Sequence, residues 1–203
     1  MILRLFAAAV CRFSHRARIL RRVWYRACFE FDARRTLHTF VCAHDLVTAV
    51  PVRVGGGAGS LEIRDRVKLG FHMAPRHGRG EILLQPRAEG ATVSIGSGTI
   101  FSNNVSIVAM RSIRIGSDCL IGDLVQIVDC DFHELDPLRR RASVGRIEPV
   151  EIGNNVWLGS RVMILCGVTI GDNSVIGAGS VVTRAIPANS VAAGVPAKVI
   201  RTL

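Results

Sequence analysis

At 203 residues the chain is long enough for one sizeable core, or for one domain with an appendage. A hydrophobic content of 49% excludes wholesale disorder, and no apolar run approaches the roughly 20 residues needed to cross a bilayer. The net charge of +10 is unevenly placed: residues 1–35 hold nine arginines against Glu30 and Asp32, so +7 of it lies there and +3 in the rest of the chain. No nucleic-acid-binding motif accompanies these arginines and no basic stripe follows downstream, so no nucleic-acid partner is expected.

Residues 1–45 read as partly helical. Leu3, Phe6, Val10 and Phe13, then Leu20, Val23 or Trp24 and Ala27, recur at helical spacing, and Arg18, Arg22 and Arg26 share the other face. The run Leu5 to Cys11 lacks both the length of a signal-peptide core and a clean small-residue cleavage site, so no secretion signal is expected. Gly55-Gly56-Gly57 reads as a hinge or linker. Cys11, Cys28, Cys42, Cys119, Cys130 and Cys166 lie far apart with no C-x-x-C pair, which favours reduced thiols in a cytoplasm over a disulfide framework.

From residue 61 onward a six-residue beat emerges. Leu61, Ile63, Val67 and Leu69 carry hints of it before Pro75-Arg76-His77-Gly78 breaks it. It runs through Ile95, Phe101, Ile107 and Ile113, resumes after a two-residue slip at Ile115, Ile121 and Ile127, and returns as Ile152, Leu158, Ile164, Ile170, Ile176 and Val182. Gly96, Gly116, Gly122, Gly153, Gly159, Gly171 and Gly177 follow these aliphatics, and Asn154, Asn155, Asp172 and Asn173 stand at the adjoining turns. A period of six fits neither an amphipathic helix nor a simple series of hairpins. It suits a coil of short strands joined by tight corners, with the aliphatic inward and Asn, Asp or Gly where left-handed backbone is needed. Three hexads make one triangular turn, each stacked about 4.8 Å from the last. The expected fold is therefore an all-β parallel β-helix solenoid over residues 58–203, preceded by a basic, partly helical segment and linker over 1–57. That segment either lies on an anionic membrane surface or a partner without spanning a bilayer, or caps the open end of the solenoid.

The beat halts after Ile127 and restarts near Val150, extruding a loop with the sequence Val128-Asp-Cys-Asp-Phe-His-Glu-Leu-Asp-Pro137 followed by Arg139-Arg140-Arg141. A loop thrown out of a rigid scaffold is a natural place for function. His133 is the one histidine after residue 77; an imidazole is largely neutral at pH 7 and can accept a proton, although on the residues alone a solvated loop histidine is equally consistent. Asp131 and Glu134 are candidates to orient it.

The chain resembles the hexapeptide-repeat acetyltransferases, closest to the sugar and polysaccharide O-acetyltransferases of galactoside, maltose and Nod-factor type. The resemblance runs from about Ile95 to Arg201. It is most specific in Ile152-Gly-Asn-Asn-Val-Trp-Leu-Gly-Ser160, Gly167-Val-Thr-Ile-Gly-Asp172, Gly177-Ala-Gly-Ser-Val-Val-Thr183 and Ala193-Gly-Val-Pro-Ala-Lys-Val-Ile-Arg201. It implies a left-handed winding, acetyl-CoA as acyl donor, a homotrimer, and direct acetyl transfer to a hydroxyl of a carbohydrate acceptor, as in surface polysaccharide biosynthesis. His133 takes the place of the general base that deprotonates the acceptor hydroxyl. Asn103, in Phe101-Ser-Asn-Asn-Val105, takes that of an active-site asparagine, with Asn104 the alternative if the register slips by one. Trp157, Ser160, Ala178, Thr183, Lys198 and Arg201 match cofactor-binding positions, and Arg184 could assist the cations in holding the phosphates of coenzyme A. The cytoplasm is the expected location, with peripheral contact at the inner membrane surface as the reading that goes with a membrane-bound N-terminus. Two alternatives stand beside this one. The first is an inactive scaffold docking through its basic N-terminus. The second is a zinc enzyme like the γ-class carbonic anhydrases, using His72, His77 and one of His38 or His44; no metal is expected.

Overall fold

Aliphatic residues six apart cannot share one face of an α-helix, but in an extended chain that turns every six residues each of them returns to the interior. In the computed structural model, which describes residues 2–75 and 79–203 with side chains from Arg16 onward, the chain does this for six full coils. Coil one holds β1 (Thr39–Cys42), β2 (Val47–Thr48) and β3 (Val52–Arg53); coil two holds β4 (Ser60–Ile63), β5 (Lys68–Leu69) and β6 (Ile82–Pro86). Coils three and four comprise β7 (Thr92–Ile95), β8 (Ile100–Phe101) and β9 (Ser106–Ala109), then β10 (Ser112–Ile115), β11 (Leu120–Ile121) and β12 (Gln126–Val128). Coils five and six comprise β13 (Val150–Ile152), β14 (Trp157–Leu158) and β15 (Met163–Ile164), then β16 (Thr169–Ile170), β17 (Val175–Ile176) and β18 (Val181–Val182). The chain finishes with β19 (Ser190–Gly194) and β20 (Ala197–Thr202).

Three parallel sheets result. The first face is β1-β4-β7-β10-β13-β16, the second runs β2-β5-β8-β11-β14-β17-β19 with β20 added antiparallel, and the third is β3-β6-β9-β12-β15-β18. From coil two onward each hexad buries two residues: in coil three these are Val93 and Ile95 on the first face, Thr99 and Phe101 on the second, and Val105 and Ile107 on the third. These inward pairs stack from coil to coil into one continuous core. The corners follow the expected chemistry. Asp118, Asn155, Asn173 and Asn189 adopt positive φ at equivalent places between the first and second faces, and the amides of Asn155, Asn173 and Asn189 form a ladder with bonds of 3.0 and 2.9 Å. At Gly116, two residues before Asp118 in the same corner, any Cβ would run into the backbone of Gly153 in the coil above, so the stacking distance itself demands glycine.

The solenoid begins at Thr39, earlier than the boundary at residue 58 expected from the sequence. Coil one keeps the beat in Cys42, Thr48 and Val54, but a thiol and a hydroxyl fill two of the three places, so no aliphatic period is visible. Gly55-Gly56-Gly57 is a corner between the third and first faces and not a hinge. Gly55 and Gly56 have positive φ, and a Cβ on Gly57 would collide with the Pro86 carbonyl. The beat after Leu69 is broken because Leu69 and Leu84, the successive inward residues, are fifteen apart instead of six. The intervening segment is an insertion at one corner, of which residues 76–78 lie outside the described residues.

The N-terminal segment is one helix, α1 (Ile2–Thr36), and no described helix is long and apolar enough to cross a membrane. Its C-terminal half closes the open end of coil one. Phe29, Ala33 and Leu37 are buried on the coil, and Phe29 meets Phe40 edge to face. An open β-helix end leaves backbone carbonyls without the next strand. Arg26 answers this by donating to the carbonyls of Leu46 (2.9 Å), Ala43 and His44, while Glu30 holds its Nε at 2.7 Å. Thr48 Oγ1 donates to the Arg22 carbonyl in the same seam. The Phe29→Ala variant should lose about 3 kcal/mol or more of folding stability by chemical denaturation. A loss well under 1 kcal/mol would show that the helix does not seal the core.

Candidate active site

The loop that carries His133 leaves the solenoid at the edge between the third and first faces, from β12 to β13. Its inward anchors, Ile127 and Ile152, are twenty-five apart and keep their places in the core, so the extrusion costs the core nothing. The base is built rigidly. Asp129 is fully buried and accepts bonds from three successive backbone amides, those of Met110, Arg111 and Ser112, at 2.7, 2.8 and 2.7 Å. Cys130 and Ile147 then pair as an antiparallel bridge, flanked by bonds from Asp131 N to Arg146 O and from Glu148 N to Asp129 O. Phe132 takes a positive φ (59°) with Arg87 of coil two stacked on its ring, 5.1 Å from the centroid. Gly145 lies against the His133 carbonyl so closely that a Cβ there would clash.

His133 itself is exposed, and its Nδ1 sits 3.0 Å from the carbonyl oxygen of Arg140. A carbonyl can only accept, so Nδ1 carries the proton and Nε2 keeps a free lone pair. The orienting group is thus a backbone carbonyl, where the sequence suggested Asp131 or Glu134. Asp131 instead faces Arg146 at 3.7 Å, and Glu134 faces Arg139 at 3.8 Å and Ser143 Oγ at 3.4 Å. Neither the Arg140 carbonyl, the Asp129 clamp nor the Arg87 stack was legible beforehand. A backbone acceptor and a cation two coils away leave no mark in a local motif.

Asn103 and Asn104 lie at the edge between the second and third faces. Asn103 is fully buried. Its Oδ1 accepts from Phe71 N at 2.8 Å and its Nδ2 donates to Arg79 O at 3.3 Å, so the amide braces the inserted segment after β5. Asn104 takes φ 57° and donates to Asp123 Oδ1 at 2.9 Å. Ser160 and Ala178 occupy the same edge two and three coils further on, stacked through a bond from Gly179 N to Ser160 O. Trp157 projects from the second face, 54% exposed, in an outward column with Leu120, Val175 and Val191. Arg201 pairs with Val191 and Lys198 with Ala193 across the final hairpin. Residues three apart on a strand would normally point to opposite faces, but a bulge between these two pairs shifts the alternation, and both cations end on the outward side of the second face.

The expected site residues therefore fall into two groups. Asn103, Ser160, Ala178, Trp157, Lys198 and Arg201 share the second face and its edge with the third. His133, Thr183 and Arg184 belong to the opposite edge of the third face, since Thr183 and Arg184 follow β18 where the chain turns to the first face. Within one chain the third face separates the two groups. A groove of about 860 Å³ runs along the remaining edge beside Glu62, Arg64, Arg114, Glu151 and Asp172 and contains none of these residues. Among the described residues no group of His, Cys, Asp and Glu is placed to hold a metal ion, and His77 lies outside them. Burial pushes the thiols of Cys42, Cys119, Cys130 and Cys166 up from their ordinary value, the opposite of what a thiolate nucleophile requires.

Comparison with known proteins agrees with this architecture. The family described as bacterial transferase hexapeptide (six repeats) matches residues 149–184, which are coils five and six. Galactoside O-acetyltransferase of Escherichia coli (strain K12) is 46% identical over 114 residues, 56% of this chain and 56% of that protein, so the match spans about half the length of each. The structure of a galactoside acetyltransferase in complex with coenzyme A is similar with a TM-score of 0.56 and 32% identity, over 83% of this chain and 66% of that one. The polySia-specific acetyltransferase NeuO is similar with a TM-score of 0.61 and 26% identity, over 82% of each chain. These neighbours support the left-handed winding that the parallel sheets alone leave open. Residues 149–184 thus carry bacterial transferase hexapeptide repeats, and the β-helix they belong to is similar to that of a galactoside acetyltransferase.

Proposed function

We propose that this protein is an acetyl-CoA-dependent O-acetyltransferase that acylates a hydroxyl of a carbohydrate, with His133 as general base. The observation that carries the reading is the bond between His133 Nδ1 and the Arg140 carbonyl, which leaves Nε2 free to accept a proton on an exposed, rigidly based loop. In this reaction Nε2 takes the proton of the acceptor hydroxyl as its oxygen attacks the thioester carbonyl. The tetrahedral adduct then collapses by breaking the C–S bond, and the sulfur of coenzyme A leaves with the proton returned from the imidazolium. The raised thiols of Cys42, Cys119, Cys130 and Cys166 favour direct transfer over an acyl-cysteine intermediate.

In this reading Lys198 and Arg201 hold the phosphates of the cofactor, Trp157 packs along it, and backbone groups at Ser160 and Ala178 pair with the pantetheine amides. Asn103 acts as a positioning residue, since its buried amide fixes Phe71 and Arg79 beside the cofactor edge. Thr183 and Arg184 stand on the edge of His133. The two groups meet when the edge bearing His133 in one copy approaches the cofactor edge of the next, as in a homotrimer. The outward apolar column Leu120, Trp157, Val175 and Val191 supplies surface for such packing. The galactoside and polySia in the names of similar proteins support an acceptor among sugars, and a surface polysaccharide or its precursor is the class we favour. Free thiols at Cys28, Cys42, Cys119, Cys130 and Cys166 fit a cytoplasmic location.

His133→Ala should lower kcat by roughly 10²–10⁴-fold, the usual contribution of a positioned base, while the melting temperature stays close to that of the parent. Near-full kcat in that variant would refute the assignment. The double variant Lys198→Ala/Arg201→Ala should raise KM for acetyl-CoA by about tenfold or more with kcat at saturation largely retained, since each charged hydrogen bond is worth about 1.5–3 kcal/mol. An unchanged KM in steady-state kinetics would place the cofactor elsewhere.

A further inference from the structure

The helix that seals the solenoid has a second face which the fold does not use. Phe29, Ala33, Leu37 and the Arg26 guanidinium turn toward coil one. On the far side, Leu20, Val23, Trp24, Ala27 and Phe31 fall within an arc of about 100° at the α-helical repeat. Their large members are exposed: Leu20 by 70%, Val23 by 62%, Trp24 by 67% and Phe31 by 68%. Isolated exposed apolar side chains are ordinary, but an aligned stripe of four on one helix is not. Capping of the solenoid, the simplest use for the helix, accounts only for the inner face.

The charges around the stripe are of one sign. Arg16 stands at one end and Arg21 and Arg35 along its border, all exposed, while Arg34 at the other end is engaged, 3.8 Å from Glu30 and over the Phe40 ring. The two acidic residues of the helix are otherwise engaged: Glu30 pairs with Arg26 at 2.7 Å and Asp32 accepts from Val54 N at 3.4 Å. An apolar stripe with tryptophan and phenylalanine, bordered by arginines with no free carboxylate, complements a lipid interface with anionic headgroups, where apolar side chains enter the acyl boundary and guanidinium groups meet phosphates. The helix is not apolar enough to cross, so it would lie in the plane of the surface.

We propose that the outward face of α1, with Leu20, Val23, Trp24 and Phe31 as its apolar anchors, docks this protein on an anionic membrane surface. Docking there leaves the inner face in place, so the solenoid stays sealed while bound. The proposal does not depend on the acetyl-transfer reading. The test is co-sedimentation of the full chain with vesicles of phosphatidylcholine alone and of phosphatidylcholine doped with phosphatidylglycerol, at low and high salt. The parent should bind the doped vesicles, weaken as salt rises, and show little binding to the neutral ones. Leu20→Glu/Trp24→Glu, both on the outward face, should weaken binding by about tenfold or more with an unchanged melting temperature. Arg21→Gln/Arg35→Gln, both on the exposed border of the stripe, gives a second, fold-neutral variant that should weaken binding to doped vesicles only. In a Trp157→Phe background the emission of Trp24 should shift to the blue on addition of doped vesicles. Absence of binding to doped vesicles, equal binding to neutral ones, or indifference to both variants would overturn the proposal. So would a Leu20→Glu/Trp24→Glu variant whose only change is a smaller oligomer, which would make the face a protein interface.

Discussion

Each coil of the solenoid hands its backbone amides to the carbonyls of the next: Ile100 N to Cys119 O, Leu120 N to Val156 O, and Trp157 N to Ser174 O. Strand residues in register across this ladder stand one above another, so the face on which a side chain emerges is fixed by its count from the last inward aliphatic. Extra residues cannot enter a strand without moving every later side chain to the wrong face. They are accepted at an edge, where the chain leaves one face and rejoins the next in register. Both long excursions, after β5 and after β12, are placed there, and the core residues on either side of each remain fully buried. The loop of His133 can therefore be large and still sit on a base as stiff as the scaffold, through the three amides that Asp129 gathers.

The same constraint separates the two groups of candidate residues. A rigid three-sided prism cannot bend one edge toward another, so the edge of His133 and the edge of Ser160 and Ala178 stay on either side of the third face. In the assembly we propose, that separation is resolved by a second copy. The flat outward column of the second face is then a contact surface that keeps the two edges in register. The final hairpin adds the cations late, and its bulge puts Lys198 and Arg201 on the same side of the second face.

Much of this was legible in the sequence because the repeat is carried by large aliphatic residues with little else to do. Ile95 to Val182 announce their positions directly, and the glycines and asparagines after them mark the corners. Coil one was hidden for the opposite reason: with Cys42 and Thr48 in inward places, its period is spoken by residues that read as neutral. The triple glycine suggested slack, whereas the stacking of Pro86 on Gly57 makes it a crowded corner. Within the candidate site, His133 stood out because its loop interrupts a period. Its orienting partner is a backbone carbonyl and its loop is braced by Arg87 from coil two, neither of which any residue type near His133 could reveal. For Asn103 the position on an edge was legible, but the burial that commits its amide to Phe71 and Arg79 depends on an insertion whose path the sequence does not describe.

The central claim is that one working site draws His133 from one copy and the cofactor edge from another. Subunit mixing tests it most directly. Chains carrying His133→Ala and chains carrying Ala178→Trp, which fills the cofactor edge, are each expected to be inactive, and are co-expressed or refolded together. If the site is shared between copies, random assembly should restore activity at about a quarter of the sites, because an intact histidine edge from one variant meets an intact cofactor edge from the other. Mixed assemblies that remain as inactive as either parent, with exchange of subunits verified by mass, would contradict it.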